Sequence, residues 1–298
     1  MVRPSHFGYN TETAASNTFQ STSKKLSTRQ IQQKALEEFD EFVATLQKHK
    51  IQVLVYQDSP SPVKPDAIFP NNWLATFQDG KVVIFPMFAP NRRIEKNDAL
   101  IQTLAKDFVV TDVEDWSEYE AEGFFLEGTG SMIIDHEQRL IYACLSPRTH
   151  KAVLERFAAS HGYKAILFHA TDENGVAVYH TNVIMHIGEG YAVVCLESIR
   201  DETERIAVSQ LLITTGHEII PVSLAQVHAF AGNMLQVKNT RGEKFTILSK
   251  QAFHSLSATQ KEILGIHTHL LPVEVTTIET IGGGSVRCMM AEIFLQKK

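Results

Sequence analysis

Cysteine is scarce in this chain of 298 residues: Cys144, Cys195 and Cys288 make an odd number with no C-x-x-C spacing. That excludes a disulfide framework and a zinc-ribbon type of metal site, so reduced thiols and no bound metal are expected. Long apolar runs are missing too. None approaches the roughly 18 residues that a membrane-spanning helix needs, and the opening MVRPSHFGYN has no apolar segment of the signal-peptide kind. A cytoplasmic protein with no membrane partner is the expectation. Strong charge of one sign is also lacking. Lys plus Arg number 28 against 34 Asp plus Glu, a net charge of -6, which disfavours nucleic acid and anionic lipid as partners and leaves a small molecule as the default. Low-complexity tracts are absent. Only residues 8 to 23, rich in Thr, Ser and Asn, and DSPSPVKPD at 58 to 66 read as loops by composition.

What is present is a repeat. A small or polar residue opens a short apolar strand in PNNWLATF, EGTGSMII, YHTNVIMHI, FAGNMLQV and GGGSVRCMMAEIF. With Asn72, Gly130, Asn182, Asn233 and Ser285 as markers, the intervals are 58, 52, 51 and 52 residues. Each of the first four marker strands is followed by a turn and a second strand (KVVIFP, RLIYACL, YAVVCLE, KFTILS), which reads as a hairpin. Helical patterns follow at about 92 to 106, 147 to 161, 199 to 216 and 250 to 265, then a third strand in DFVVTDV, KAILFHA, HEIIPV and THLLPVEV. The fifth unit starts at Ser285 and stops at Lys298, and its missing helix and strand match residues 26 to 50 and IQVLVYQ at 51 to 57. This predicts one α/β domain over 1 to 298, a five-unit ring with pseudo-fivefold symmetry closed by both termini, because no unit can bury its apolar face alone. In such a ring the marker loops meet on one face.

That face collects the candidates. Cys288 follows Gly282-Gly283-Gly284-Ser285, whose glycines allow close backbone approach and whose amides suit a thiolate, whereas Cys144 and Cys195 sit in equivalent second strands and read as small core residues. Arg287 alternates to the other side of the expected strand. His180 opens the third marker strand and suits general acid and base work near neutral pH, against the blander reading of a structural histidine. Glu127 and Asp66 precede the second and first markers. Carboxylates there can each accept two parallel N-H groups from a flat substrate head, or can be solvated loop acids. Arg92, Arg93 and Arg148 lie near the starts of the first two helices, placed either to clamp a carboxylate or simply to face water.

These motifs, FPNNW with Asp66 ahead, FLEGTGSM, YHTNVIM and GGGSVRCMMAEI, with RPSHFGYN and SNTFQ, resemble the citrulline utilisation hydrolases of the amidinotransferase-related superfamily across essentially the whole chain. The resemblance implies the five-bladed α/β propeller called the pentein fold, shared with arginine deiminase, dimethylarginine dimethylaminohydrolase and glycine amidinotransferase. It implies Cys288 as covalent nucleophile, His180 as acid/base, Asp66 and Glu127 as carboxylates holding the substrate head, Arg92 and Arg148 as grips for an α-carboxylate, and no cofactor. Two departures bear on substrate. Relatives acting on guanidinium show His-x-Asp and EGGD where this chain has His180-Thr181-Asn182 and Glu127-Gly128-Thr129-Gly130. An amide at Asn182 suits a neutral urea better than a cation, and Asn72 in the first marker loop is a further candidate substrate-binding residue. The expected activity is hydrolysis of citrulline to ornithine, ammonia and carbon dioxide. Hydrolysis of arginine or methylarginine, and a non-catalytic pentein binding protein, are the competing readings. Residues 8 to 23 are a candidate lid, and a homodimer is compatible with all of this.

Overall fold

The computed structural model describes residues 1–22 and 26–298, so the last residue of the candidate lid, 23, lies outside the described residues. The chain opens with β1 (Val2–Arg3) and, after a helix over Thr28–Lys48, β2 (Tyr56–Gln57), which pairs with it in parallel. Four three-stranded sheets follow: β3 (Leu74–Thr76), β4 (Lys81–Ile84) and β5 (Asp112–Asp115); β6 (Ile133–Asp135), β7 (Leu140–Cys144) and β8 (Lys164–Phe168); β9 (Met185–Gly188), β10 (Tyr191–Val194) and β11 (Glu218–Pro221); β12 (Leu235–Lys238), β13 (Lys244–Ser249) and β14 (His269–Val273). In every one the first two strands form an antiparallel hairpin and the third returns parallel to the second after a helix. The unit inferred from the sequence is therefore built four times over, and with the β1–β2 pair the described residues form five small sheets, none of which closes on itself.

The central strands are apolar on both faces, as the alternation-free runs VVI, IYAC and AVV require of strands covered on both sides. Helices supply the outer cover. The helix at Thr28–Lys48 begins at a Ser27–Gln30 capping box and buries Ile31, Ala35, Phe39, Phe42 and Leu46, all on one stripe. Two expected helices are each broken in two. Asn97 caps Asp98–Asp107 separately from a turn at Pro90–Arg93, and Ser257 caps Ala258–His267 separately from Lys250–Ser255. In both cases a good N-cap competes with continuing the earlier helix.

The fifth unit departs from expectation. Residues 285–290 form turns instead of a marker strand, with Cys288 N–H bonded to Ser285 O, and the second-strand position is filled by Val2–Arg3. Of IQVLVYQ only Tyr56 and Gln57 hold ladder bonds. The C-terminal segment runs against the first sheet, where Thr76 Oγ1 bonds Glu292 O and Val109 N bonds Gln296 O. On the other side, Asn239 Nδ2 bonds His49 O and Thr240 N bonds Lys50 O, tying the N-terminal helix to the fourth sheet. No helix among the described residues is long and apolar enough to cross a membrane.

Candidate active site

A cleft enclosing about 270 Å³ is lined by six of the residues picked out from the sequence: Asp66, Asn72, Arg92, Arg148, His180 and Cys288. The other two, Glu127 and Asn182, stand directly behind it, Glu127 hydrogen-bonded to His180 and Arg148 and Asn182 to Cys288. Turns following the marker loops put them there. Pro70–Asn72 and Thr181–Val183 are single 3-10 turns, and Gly128–Ser131 is a single helical turn between them. Thr181 Oγ1 donates to Ser131 O at 2.6 Å, and Ser131 Oγ accepts from Glu127 N while donating to Arg148 O, so the second and third loops are clamped together. Glycine is required at two places. Gly128 has φ +46 and no room for a Cβ against Asn71 O, and a Cβ at Gly130 would collide with Asn72 Nδ2 and lie 2.8 Å from the His180 ring.

His180 Nε2 lies 2.7 Å from Glu127 Oε2. Burial works against the Glu127 charge, but Arg148 and His180 outweigh it and hold the carboxyl well below the usual range, so it is an anion and His180 Nε2 carries the donated proton. The Nδ1 lone pair is then the free basic site. Burial, aided by Arg148 and Arg92 and opposed by Glu127, pushes the His180 pKa down to about 4, so the imidazole is neutral at pH 7. Cys288, 4% exposed, has two amide donors on its sulfur, Asn182 Nδ2 and Asn233 Nδ2, each at 3.4 Å.

Two of these side chains are held differently from what the sequence reading expects. Glu127 does not present its carboxylate to the cleft: it is fully buried, Oε1 accepts from Phe88 N at 3.0 Å, and Oε2 is shared by His180 and Arg148. Its charge orients a histidine. Arg92 is likewise committed, with Nε and Nη2 on the two oxygens of Glu95 at 2.9 and 2.8 Å, Nη1 on Asn72 Oδ1 at 2.7 Å, and further bonds to Phe69 O. It steers Asn72 and leaves no pair of N–H groups for an incoming carboxylate. Arg148 is freer. Its Nη2 bonds Ser16 Oγ and Thr13 O and its plane lies over Tyr179, but Nη1 has only a 3.5 Å contact to Glu127. Arg287 points away from the sulfur, to Met290 O and Glu292. Cys144 and Cys195 are fully buried, and burial pushes both thiols up to about 11.

Two residues lining the cleft each carry a buried polar atom without a hydrogen-bond partner: Asp66 Oδ1, an acceptor, and Asn72 Nδ2, a donor. The first belongs to a carboxyl whose pKa is raised by burial in spite of Arg92 and its bonds from Asn10 and Thr13. Residues that sequence reasoning did not name as site residues come largely from the 8–22 segment. Thr13 and Asn17 line the cleft, Asn10 bonds Asp66, and Asn17 and Gln20 reach the carbonyls of Ile281, Gly282 and Gly283. Tyr179, whose hydroxyl holds Gly283 O at 2.7 Å, and Asn233 were also missed. Asn233 carried a signal, since it is itself the fourth repeat marker; Tyr179, adjacent to His180, carried none.

The four repeated sheets and this cleft define the class: an α/β protein of the pentein superfamily, with arginine deiminase and the amidinotransferases. Within it, the chain belongs to the family described as N,N dimethylarginine dimethylhydrolase, eukaryotic, whose model matches residues 3–295. Comparison with curated protein sequences finds no match. Among solved structures the fold is shared with the substrate-bound N-terminal domain of ArgZ, an arginine dihydrolase from the ornithine-ammonia cycle in cyanobacteria, at 18% identity and TM-score 0.75, covering 99% of this chain and 98% of that one. It is shared with a mutant AgrE in binary complex with L-arginine at 18% identity and TM-score 0.73, over 97% of this chain and 39% of that one. A dimethylarginine dimethylaminohydrolase adduct with 4-chloro-2-hydroxymethylpyridine matches at 16% identity and TM-score 0.62, over 90% and 92%.

Proposed function

We propose that the chain is a single-domain pentein ring, 1–298, that hydrolyses the ureido group of citrulline through a covalent adduct on Cys288. The family and its structural neighbours support a hydrolase acting on carbon-nitrogen bonds of a guanidino-type substrate. One observation carries the choice of citrulline: Asn72 Nδ2 is a buried donor in the cleft with nothing to donate to. A urea has a carbonyl oxygen to accept that hydrogen bond; a guanidinium has only donors, and would leave the amide unsatisfied at a cost of roughly 1–3 kcal/mol. The neutral Asn182 and the complete use of Glu127 by protein groups point the same way.

The chemistry follows from the residues. Cys288 sulfur adds to the ureido carbon while Asp66 Oδ1 accepts from substrate N–H and Asn72 donates to the oxygen. His180 Nδ1 takes up the proton released in this step and passes it to the nitrogen that departs. With its proton given up, the same imidazole draws one from water, which attacks the remaining S-linked carbonyl and frees the thiol. The carbamate so released then breaks its own C–N bond as it gives up carbon dioxide, so that with one water consumed the products are ornithine, ammonia and carbon dioxide. Arg148 is placed to pair with the α-carboxylate.

Hydrolysis of arginine or a methylarginine is the second reading, favoured by the unpaired Asp66 Oδ1, which would suit a cation equally well. Parallel incubation with citrulline, arginine and dimethylarginine, reading ornithine, citrulline and ammonia, separates the two. Citrulline consumed to ornithine supports the proposal; arginine consumed with citrulline untouched overturns it.

A further inference from the structure

We propose that Asn233, with Asn182, forms an amide cradle that donates to the Cys288 sulfur and stabilises the charge it carries as it attacks, and that Asn233 is thereby a catalytic residue of this site. The inference rests on Cys288 being the nucleophile proposed above. The orientation of Asn233 is fixed by its other bonds: Oδ1 accepts from Arg287 N at 3.0 Å, so Nδ2 faces Asn182 O at 3.0 Å and Cys288 Sγ at 3.4 Å. Asn182 Nδ2 approaches the same sulfur at 3.4 Å. Two N–H donors converging on one sulfur match an acceptor anion, whereas a neutral thiol is a weak acceptor and has only the long 3.8 Å contact to Asn233 Oδ1 for its own proton. Neither neighbouring arginine brings its charge onto the sulfur: Arg287 is turned to Met290 O and Glu292, and Arg92 is tied to Glu95 and Asn72.

The five repeat markers thereby divide the work. Asn72 offers a donor to substrate, Gly130 leaves room for Asn72 and His180, Asn182 and Asn233 flank the sulfur, and Ser285 O receives the Cys288 N–H. The small polar residues that open each strand are needed in a ring where several of them must crowd one reacting atom. In relatives with His-x-Asp, an acid would stand where Asn182 contacts the sulfur; here both flanking groups are neutral donors.

The test is the pH profile of Cys288 alkylation by iodoacetamide in the whole protein, read by peptide mass spectrometry, with the buried Cys144 and Cys195 as internal controls. Asn233→Asp keeps an oxygen for Arg287 N and replaces the donor beside sulfur by an anion; Asn182→Ala removes the other donor and stands in if the first variant fails to fold by circular dichroism. We expect alkylation at pH 7 to fall about tenfold in either folded variant, because the sulfur loses a donor where negative charge must be held as it attacks. Superimposable profiles for wild type and folded variants would overturn the inference, as a merely structural contact would give. No amino-acid substrate enters this measurement, so it stands or falls separately from the citrulline reading.

Discussion

Glu127 shows how much of a residue's role is set by what already holds it. With Oε1 on Phe88 N and Oε2 on His180 and Arg148, its carboxylate has no capacity left for substrate, so its effect passes through the tautomer and orientation of His180. Glu127→Gln is expected to lower kcat about 10²-fold or more with little change in KM, since a misplaced acid/base costs factors of that size. Steady-state kinetics check it, and an unchanged kcat with a raised KM would return Glu127 to the substrate-binding role its sequence position suggested. At this scale the sequence was legible where a residue's position in the repeat differed from its chemical siblings: Cys288 sits in a turn by the cleft, Cys144 and Cys195 in second strands or directly after them. It was illegible where partners come from distant segments. Nothing in APNRRIEK shows that Glu95 closes bidentately on Arg92, or that Thr13 and Ser16, more than 130 residues away, occupy half of the Arg148 guanidinium.

Among the elements, the helix at Thr28–Lys48 does most to join the termini of the repeat. Its Phe39 and Phe42 are fully buried with Phe7, Phe69, Val286 and Cys288 in one apolar cluster, and its Glu38 caps the helix at Thr276–Gly282 through Thr277 N and Ile278 N. Phe39→Ala should therefore cost about 3–5 kcal/mol, read as a shift in the urea midpoint, and should depress activity because the cluster ends at the Cys288 loop. A loss under about 1 kcal/mol would show that this helix packs loosely. Helical period revealed the stripe over residues 31 to 46, but not the two breaks at Asn97 and Ser257, where an N-cap prevailed over the apolar pattern. Nor did period reveal that IQVLV would run beside β1 without ladder bonds, since apolar composition fixes burial more firmly than pairing.

For the whole molecule, the interior carries titratable groups that act in opposite senses. His180 and His186, pushed by burial from 6.5 to about 4 and about 3, bind protons more readily when unfolded, so they remove stability as pH falls below 6.5. Glu95 and Glu279, raised by burial from 4.5 to about 7, bind protons more readily when folded, so their contribution grows as pH falls from 7 to 4.5 and then stays constant. Between about pH 4.5 and 6.5 these offset; below 4.5 the destabilising histidines continue to titrate, together with carboxyls held low in the fold, Glu127 and Glu114 among them. The melting temperature is expected to be nearly flat from pH 7 to 5 and to fall steeply below 4.5, with His186→Gln softening the fall; a uniform decline from pH 7 downward would contradict this balance. The fourfold repeat of sheet and helix was readable because its markers recur at 51 to 58 residues. Of the fifth unit the helix was readable too, but the second strand was not, because it is only two residues long.

The central claim is covalent catalysis at Cys288 on a ureido carbon, and it has a direct test. The protein is mixed with citrulline carrying a heavy isotope at the ureido carbon, quenched in acid within one turnover, and digested for peptide mass spectrometry. The account predicts the labelled carbonyl on the Cys288 peptide, absent in Cys288→Ser and absent from the peptides of Cys144 and Cys195. Turnover of citrulline to ornithine with no label on Cys288 at any quench time would contradict it.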